Sequence, residues 1–410
     1  MLVLGGGVIG LACAYFLLEA GRSVTVLEQG TVGCAASHAN CGTLTPSHAA
    51  PLAMPGTLAM ALRWLLKPDA PLRIAPRADP ALLRWLLGFA TRCNWRDALH
   101  ATAAKAPLLQ RSRLLIEEIV RKESLDCEFA ASGTLNVYRD PRAFAEARAV
   151  HERLAPFAPL AEVLDEKATL VREPALKPGI AGALFHPGDA QLRPDRYVAE
   201  LARVVRAKGG TIEESTRIDG ILRDGSRVSA VRTSRGDFSG REVVFALGAW
   251  SPRFARPLGL RIPIQPGKGY SITYTRPQRC PRIALTLKEP SVCVTAWRSG
   301  YRLGSTMEFA GYDTRLNRVR LDALRRGAAQ FLHDAEGPAV VEEWYGWRPM
   351  TPDDLPVLGR VEGTDNLLMA TGHGMLGVTM SAGTGLLVSE LACGRPPSID
   401  CAPFAAARFN

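Results

Sequence analysis

The chain contains 410 residues, 47% of them hydrophobic and 22% charged, which is typical of a globular protein with an ample core and two or three domains. Its formal net charge is +10, but the basic residues are scattered rather than clustered, which argues against a nucleic-acid-binding protein. The nine cysteines include no C-x-x-C pair and no metal-ligand spacing, so we expect reduced thiols, no metal site and a cytoplasmic location.

The chain begins with a predicted strand–turn–helix–strand unit. Residues 2–4 form an apolar run suited to a buried strand, and residues 8–20 carry a helical pattern that ends at Gly21. A second strand is predicted at residues 23–27. Residues 2–18 include four glycines and no basic leader, so we expect neither a signal peptide nor a membrane span. Three glycines in G-x-G-x-x-G spacing join the first strand to the helix: Gly5, Gly7 and Gly10.

This unit is typical of a dinucleotide-binding site. The glycines allow a tight turn, close approach of the backbone to a pyrophosphate, and packing of the helix on the strand. The N-terminus of the helix supplies free N–H groups and the positive end of its dipole to phosphates. Glu28, at the end of the second strand, is placed to accept hydrogen bonds from both hydroxyls of an adenosine ribose. The predicted contacts in this unit are Gly5, Gly7, Val8, Ile9, Gly10, Glu28 and Gln29.

The middle of the chain alternates between two kinds of pattern. Residues 108–122 have apolar positions at helical spacing, whereas residues 270–274 and 292–295 alternate as strands of an antiparallel sheet do. Between these segments, a return to the dinucleotide-binding fold is predicted from one helix and three strands, at 194–207, 211–214, 227–231 and 241–246, the last followed by a turn at Gly248.

A second strand–glycine turn–helix unit lies near the end of the chain. Residues 367–370 form an apolar strand, and residues 378–393 form a helix rich in small side chains. The N-terminus of this helix is suited to electron-rich oxygens such as those of a reduced flavin ring. A returning segment of this kind favours FAD over NAD, because a flavin is held along its whole length. The turn contains Gly372, His373, Gly374 and Gly377.

These motifs together resemble the D-amino-acid-oxidase-like flavoprotein family, in particular its D-amino acid dehydrogenase branch, nearly from end to end. The most specific segments are QPGKGYSIT at 265–273, WRPMTPD at 347–353 and GHGxxGxTM at 372–380. Further support comes from SHANCG at 37–42 and ARF at 407–409. One departure is PSHAAP at 46–51, where the branch commonly reads PGYAAP, and this difference leaves the identity of the substrate open.

The resemblance implies an α/β fold with two interleaved parts. One part is a Rossmann-like FAD-binding domain of the glutathione-reductase type, expected at residues 1–60, 186–255 and 343–410, the last including a C-terminal tail. The other is an α+β substrate domain built on an antiparallel sheet. It is expected at residues 61–185, predicted to be helical, and at residues 256–342, which contain the sheet.

The resemblance also implies how FAD is held. Residues 347–366 contain no cysteine, so we expect the flavin to be bound non-covalently. Ile218 is expected against the adenine side, and His373 is expected to act through its backbone while its imidazole has a structural role. Beyond the N-terminal unit, the implied FAD contacts are Ala36, Ser37, Asn40, Cys41, Gly42, Thr43, Ile218, Gly248, Gly372, His373, Gly374, Met375, Leu376, Gly377 and Val378.

The implied reaction is the oxidative deamination of D-amino acids. The α-hydrogen leaves as hydride to flavin N5 and the imino acid hydrolyses to a 2-oxo acid, so the protein needs to orient the substrate rather than supply a strong base. Arg348 is the expected carboxylate clamp, because a guanidinium grips a carboxylate through two parallel hydrogen bonds. Tyr270 is expected either to donate to that carboxylate or to pack in the core, and His48 either to contact the substrate or to pack.

Several functional alternatives stay open at this point. Within the family they are a dehydrogenase for D-proline or hydroxy-D-proline and a glycine- or sarcosine-type oxidase; outside it they are an NAD-dependent dehydrogenase and a flavin subunit that requires a partner. The expected partners are an amino-acid substrate and a quinone or respiratory-chain acceptor. Residues 57–66 and 82–89 combine apolar residues with Trp and Arg, which is typical either of peripheral contact with the inner face of the cell membrane or of core-facing helices.

Overall fold

Ten α-helices and twenty strands form the framework of the chain, whose computed structural model describes residues 1–65, 67, 69–157 and 161–409. The helices are α1 (Val8–Glu19), α2 (Thr57–Leu65), α3 (Pro80–Ala90), α4 (Trp95–Lys122), α5 (Pro141–Leu154), α6 (Glu166–Arg172), α7 (Pro194–Ala207), α8 (Ser251–Ala255), α9 (Arg318–Phe331) and α10 (Gly377–Ala392). These counts refer to the residues in the ranges given above.

The strands fall into two large sheets and two small ones. In chain order they are β1 (Leu2–Leu4), β2 (Thr25–Leu27), β3 (Thr43–Leu44), β4 (Leu72–Ile74), β5 (Thr134–Tyr138), β6 (Glu162–Leu164), β7 (Gly182–His186), β8 (Ala190–Gln191), β9 (Thr211–Glu213), β10 (Ile218–Asp224), β11 (Arg227–Thr233), β12 (Gly236–Phe238), β13 (Val243–Phe245), β14 (Gln265–Tyr274), β15 (Ala284–Leu287), β16 (Val292–Trp297), β17 (Gly300–Phe309), β18 (Val340–Met350), β19 (Val357–Arg360) and β20 (Leu367–Thr371).

The first large sheet has the order β19-β20-β13-β1-β2-β9, and all its neighbouring strands are parallel except β19 and β20. Its central strands are short and wholly buried because helices cover one face and the β10–β11–β12 sheet packs against the other. Helices α1 and α10 cross so closely that a Cβ on Gly385 would lie 2.5 Å from the Ala12 carbonyl oxygen. The strand–turn–helix–strand unit predicted at the start of the chain is confirmed by β1, α1 and β2, with the left-handed Gly21 (φ 73°) after α1. The strand–glycine turn–helix unit predicted near its end is confirmed by β20 and α10.

The second large sheet is mixed and mostly antiparallel, with the order β18-β14-β17-β16-β15-β5-β7-β6, and β4 is added beside β17. Helix α9 covers one of its faces with an apolar layer that includes Leu321, Leu324 and Phe331. Alternation along the strands places the polar residues on the opposite face, which is turned toward the first sheet. This division into an apolar and a polar face positions the site described below.

The antiparallel pattern predicted at 270–274 and 292–295 is confirmed by β14 and β16. The prediction that residues 61–185 are helical was incomplete. This stretch contains α3 to α6, but it also supplies β4 to β7, four strands of the second sheet. These strands are short, and β5 pairs in parallel with β15 but antiparallel with β7. Their sequences therefore contain no long segment of alternating apolar and polar residues. The predicted helix at 57–66 is α2, and its last residue, Leu66, lies outside the described residues.

Side chains from both halves connect the two large sheets. The Ser271 hydroxyl donates to the Ala39 carbonyl (2.8 Å), and the Arg302 guanidinium donates to the Asn40 carbonyl (2.8 Å). The Lys105 ammonium of α4, fully buried, forms an ion pair with Asp354 (2.6 Å) in the turn that follows β18. Within the ranges that the structure describes, no helix is both long and apolar enough to cross a bilayer.

Candidate active site

The turn between β1 and α1 is shaped by close backbone packing. Gly5 has φ 105°, and a Cβ there would lie 2.5 Å from the Ala246 carbonyl oxygen of the neighbouring strand segment. A Cβ on Gly10 would collide with the Gly5 carbonyl oxygen. The backbone N–H of Val8, at the start of α1, donates to the Ser37 hydroxyl (3.0 Å). These contacts hold the first turn of the helix open toward a cleft between the two sheets.

Glu28 is held by the backbone at the end of β2. Its carboxylate accepts hydrogen bonds from the N–H groups of Gly6 (2.8 Å) and Gly30 (2.9 Å). A carboxylate fixed by two backbone donors keeps its remaining lone pairs in a set direction. Because Glu28 lines the cleft, those lone pairs are available to a ligand.

The second glycine-rich turn brings α10 to the same cleft. Gly372 (φ 75°) and Gly374 (φ 54°) turn the chain from β20 into α10, and the Gly374 N–H donates to the Pro349 carbonyl (3.1 Å). The His373 imidazole points inward to the Thr384 hydroxyl (3.0 Å), and burial lowers its pKa to about 3. His373 is therefore neutral and structural, and the turn presents backbone rather than a charged side chain.

The cleft contains about 1550 Å³ of empty space, counted to its open mouth. Most of the residues predicted to contact a dinucleotide line it: Gly5, Gly7, Val8, Ile9, Glu28, Gln29, Ala36, Ser37, Asn40, Cys41, Ile218, Gly248, His373, Gly374, Met375, Gly377 and Val378. Five others lie behind its wall and support it: Gly10, Gly42, Thr43, Gly372 and Leu376. At Gly42 (φ 69°), for example, a Cβ would collide with the Leu192 carbonyl oxygen.

The shape and chemistry of this cleft fit FAD. The glycines leave a cradle that side chains would fill, as a Cβ on Gly6 would lie 3.0 Å from Glu28 and one on Gly7 would lie 3.4 Å from Ser37. The N-termini of α1 and α10 face the same cleft. FAD needs two such positions, because it carries a pyrophosphate at one place and the polar edge of the flavin ring at another. Among the described residues, no group of three His, Cys, Asp or Glu side chains is arranged to hold a metal.

Arg348 lies on the polar face of the second sheet, at the other end of the cleft. Its guanidinium packs directly over Gly269 of β14, where a side chain would collide with it. It donates to the Thr306 carbonyl (2.7 Å), and among the described residues it forms no ion pair with a carboxylate. Burial lowers the pKa of Arg348 below the usual arginine value, but a guanidinium remains charged. Arg348 is half-buried, and a cation in this position without an anionic partner is suited to bind an anionic ligand.

The backbone beneath Arg348 is strained. Ser305 and Thr306 have φ values of 119° and 58°, and the pairing of β14 with β17 shifts register between Lys268 and Tyr270. A bulge of this kind turns a carbonyl out of the ladder, and here the Thr306 carbonyl accepts from Arg348. Strain of this sort clusters at functional sites, because surrounding structure has to maintain it. The bulge therefore positions the guanidinium.

Tyr270 lies on the opposite face of β14 from Arg348. Its backbone borders the cleft, but its ring belongs to the apolar layer under α9, and its hydroxyl donates to Glu308. Burial, together with the hydrogen bond to Glu308, raises the pKa of Tyr270. Lys268, on the same face, packs over the ring of Tyr345, with 4.5 Å between its Nζ and the ring centre.

His48 lies in the loop after β3 and is not among the residues that line the cleft. His48 is exposed, with its imidazole among protein atoms on one side. These protein atoms, with the nearby charges of Lys288, Lys105 and His186, lower the pKa of His48. The imidazole is therefore neutral at physiological pH.

Several cleft residues were not identified from the sequence. Trp250 and Trp347 meet edge to face, with 5.6 Å between ring centres, and both line the cleft. Cys293 was also not identified from the sequence. It lies beside Cys41, which was predicted to contact FAD, and it pairs with Gly304, where a Cβ would lie 2.7 Å from the Cys41 sulfur. Trp347 is adjacent to Arg348 in a motif that was recognised, but alternation along β18 places the two side chains on opposite faces of the strand, so the motif alone did not assign Trp347 to the cleft. The meeting of Cys41 and Cys293 depends on tertiary packing and left no local signal.

Comparison with known protein families agrees with this geometry. Residues 1–391 match the family model DAO, described as FAD dependent oxidoreductase. A D-amino acid dehydrogenase of Rhizorhabdus wittichii is 35% identical over the whole length of both chains. A D-amino acid dehydrogenase of Agrobacterium fabrum is 34% identical over 99% of each chain.

Solved structures also share the fold. The glycine oxidase of Geobacillus kaustophilus superposes with a TM-score of 0.81 at 24% identity and covers 100% of this chain and 98% of its own. The L-proline dehydrogenase of P. horikoshii superposes with a TM-score of 0.74 at 19% identity, covering 100% of this chain and 96% of its own. At these identities the superpositions establish a common architecture.

Proposed function

The chain belongs to the DAO family of FAD-dependent oxidoreductases, and from that premise we propose that it oxidatively deaminates D-amino acids. FAD held in the cleft would supply the two-electron acceptor for this oxidation, in which the α-hydrogen leaves the substrate as a hydride. The resulting imino acid reacts with water to give a 2-oxo acid and ammonia. The relatives named D-amino acid dehydrogenase, 32–35% identical over nearly their full length, support this substrate class.

The observation that carries the proposal is the unpartnered guanidinium of Arg348 at the end of the FAD cleft. It would bind the substrate carboxylate through two parallel hydrogen bonds, and the Thr306 carbonyl would hold it in that orientation. A substrate fixed at its carboxylate presents its Cα–H bond in one direction, which supplies the positioning that the reaction needs. Tyr270 is engaged by Glu308, so its hydroxyl takes no direct part in this proposal.

The two ends of FAD are assigned by the fixed polar groups of the cleft. Glu28 would accept hydrogen bonds from the adenosine ribose, and the start of α1 would face the pyrophosphate. The start of α10 and the Gly374 backbone would lie beside the flavin ring. We propose accordingly that the first sheet forms a Rossmann-like FAD-binding domain and that the second forms the substrate domain.

The direct test is a substrate panel assayed with the purified chain and an artificial dye as electron acceptor. We expect a yellow protein that reduces the dye with D-amino acids and not with their L-enantiomers. D-proline, hydroxy-D-proline, glycine and sarcosine belong in the panel, because structural neighbours include a glycine oxidase and an L-proline dehydrogenase. Exclusive activity on any of these would replace the proposed substrate class, and a colourless protein would contradict the cofactor.

The electron acceptor is proposed to be a quinone or another respiratory carrier rather than oxygen. The support is the similarity to dehydrogenases, helped by a net charge of +10 that favours anionic surfaces. Stopped-flow experiments should find slow reoxidation of the reduced enzyme in air and fast reoxidation by a soluble quinone. Peroxide formation at the full rate of turnover would identify an oxidase instead.

Peripheral binding to the cytoplasmic face of the cell membrane is a further part of the proposal. Helix α2 buries none of its residues fully, and three leucines of α2 and α3 are strongly exposed, at 66% for Leu62, 60% for Leu83 and 59% for Leu87. Residues 57–92 carry six basic and two acidic side chains, a balance that favours anionic lipid.

Co-sedimentation with vesicles rich in phosphatidylglycerol tests this surface. The triple variant Leu62→Ser, Leu83→Ser, Leu87→Ser should lose binding, whereas Val171→Ser, at an equally exposed valine (75%) on α6, should not. If the wild type binds neutral and anionic vesicles equally, the preference for anionic lipid is ruled out. If the triple variant and Val171→Ser bind anionic vesicles equally, the leucine surface of α2 and α3 is ruled out.

A further inference from the structure

Lys288 occupies an unusual position at the end of β15. Its side chain forms no ion pair or hydrogen bond with any residue that the structure describes, and its backbone N–H donates to Val137 (3.0 Å). Its side chain is half-buried, and this burial lowers the pKa of its ammonium. A half-buried ammonium without a partner is free to bind an anion.

The pleat of the second sheet places Lys288 on the same face as Arg348. Leu285 and Leu287 of β15 pack into the apolar layer under α9, so Thr286 and Lys288 project from the other side. In β18 it is Tyr345 that packs into that layer, which leaves Arg348 on the other side as well. The two basic side chains therefore share the polar face of one sheet.

A row of small and polar residues crosses the sheet on this face. The row is Ser271, Gly304, Cys293, Thr286 and Asn136. The first two are buried, whereas Cys293, Thr286 and Asn136 are half-buried. Central strands normally bury both faces, so the accessible surface of these three residues shows that protein atoms do not fully cover this face beside Lys288.

The distance suits a small substrate with two anionic ends. The Arg348 guanidinium lies over β14, and β15 is three strands away, or about 14 Å at the usual strand spacing. A Lys288 side chain extended toward Arg348 would leave a gap of the size of a four- or five-carbon dicarboxylate.

The charges that face Lys288 are mainly basic or neutral. His48 and His186 are both close enough to interact, and burial lowers the pKa of His186 to about 4, so both imidazoles are neutral. His186 also hydrogen-bonds with Asn136 (3.1 Å). The acid in this region, Asp189, is satisfied by the hydroxyls of Ser47 and Thr134, both at 2.6 Å. Glu289, the chain neighbour, accepts from the backbone N–H groups of Arg139 and Asp140 (both 2.9 Å).

We propose that Lys288 binds a carboxylate at the end of the substrate side chain, so that the enzyme prefers acidic D-amino acids such as D-glutamate. This inference rests on the proposed function, with Arg348 at the α-carboxylate and Lys288 at the second one. Lys288 is then a specificity-determining residue that does not touch the reacting bond.

The kinetic test compares D-glutamate with D-glutamine, which has the same shape without the charge. The wild type should have the higher kcat/KM for D-glutamate. Lys288→Met should lower kcat/KM for D-glutamate by roughly 30-fold or more, as expected when one partner of a desolvated ion pair is removed. It should change the value for D-glutamine less than about 3-fold. Lys167→Met, at an exposed lysine of α6, is the matched control.

A binding measurement separates this inference from the proposed function. Glutarate and butyrate are each titrated into the FAD-loaded protein, and binding is measured by calorimetry. Glutarate has a second carboxylate at its far end and butyrate does not. Tighter glutarate binding that disappears in Lys288→Met supports the anion site even if no D-amino acid is oxidised. Equal binding of both acids, or equal losses for D-glutamate and D-glutamine, would overturn it even if D-amino acids are substrates.

Discussion

The two ends of the cleft recognise their ligands in different ways. At the end formed by the first sheet, the backbone makes most of the contacts, through glycine turns and the starts of α1 and α10. At the end formed by the second sheet, the residues that we propose to bind the substrate are side chains on one face, above all Arg348 and Lys288. We therefore expect FAD binding to be impaired by substitutions that add a side chain to a glycine. We expect substrate binding to be impaired by substitutions that shorten Arg348 or Lys288.

This difference follows from what each ligand requires. FAD has the same structure in every member of such a family, so a single backbone conformation can bind it. The spacing of the glycines sets that conformation. A substrate class is distinguished by charge and size, and side chains on a sheet face can change without altering the strands that carry them. The segment from Arg348 to Gly374 contributes to both ends of the cleft. A substitution that displaces this segment should therefore impair the binding of both FAD and substrate.

The largest effect is expected where this connecting segment is held to the core. Lys105 and Asp354 form a buried ion pair, and Asp354 also accepts from the Leu52 N–H (3.3 Å). Lys105→Met should destabilise the protein by about 3–5 kcal/mol, because the carboxylate is left without its cation. Thermal unfolding of the FAD-loaded protein measures this. Lys167→Met, at an exposed lysine of α6, is the control, and equal stability of both variants would refute a role for the pair.

The next effect concerns Glu28, the carboxylate at the FAD-binding end of the cleft. Glu28→Ala should weaken FAD binding by roughly 1.5–3 kcal/mol, the contribution of hydrogen bonds to a charged group. The ratio of flavin to protein after gel filtration reports the loss. An unchanged ratio would mean that Glu28 holds only the Gly6 and Gly30 backbone and not the ribose.

A smaller effect should come from a single added methyl group. In an ordinary helix, alanine is more favourable than glycine by about 1 kcal/mol. Gly10→Ala should nevertheless destabilise the protein by roughly 1–3 kcal/mol and reduce FAD content, because its Cβ collides with the Gly5 carbonyl oxygen. Gly188→Ala, where a Cβ meets nothing within 4 Å, should be neutral. A stabilised Gly10→Ala would show that the turn relaxes.

The FAD-binding end could be predicted from sequence because its signals are local. Gly5, Gly7 and Gly10 lie within one turn, and α10 follows its glycine turn directly, so spacing along the chain reproduces spacing in the fold. The recognised motif around Arg348 also lies in a single strand. These features need no knowledge of which strands pair.

The substrate end could not be predicted in the same way. Lys288, Cys293 and Arg348 come from three different strands, and their common face is set by long-range register. Strands β4–β7 contain only three to five residues each, too few to show an alternating pattern, so the sequence did not predict the number of strands in the second sheet. Tyr270 illustrates the limit, because its position in a recognised motif gave no indication of which face of β14 it occupies.

The most direct test of the claim that Arg348 binds the substrate carboxylate compares a D-amino acid with its decarboxylated amine. Arg348→Ala should lower kcat/KM for D-alanine by about 2–5 kcal/mol, or roughly 30- to several-thousand-fold, and affect ethylamine far less. Arg348→Lys should restore only part of the loss, because an ammonium cannot make the two-pronged contact. FAD content should stay normal, as it should in the control Arg142→Ala. Equal losses for acid and amine, or loss of FAD with activity, would contradict the claim.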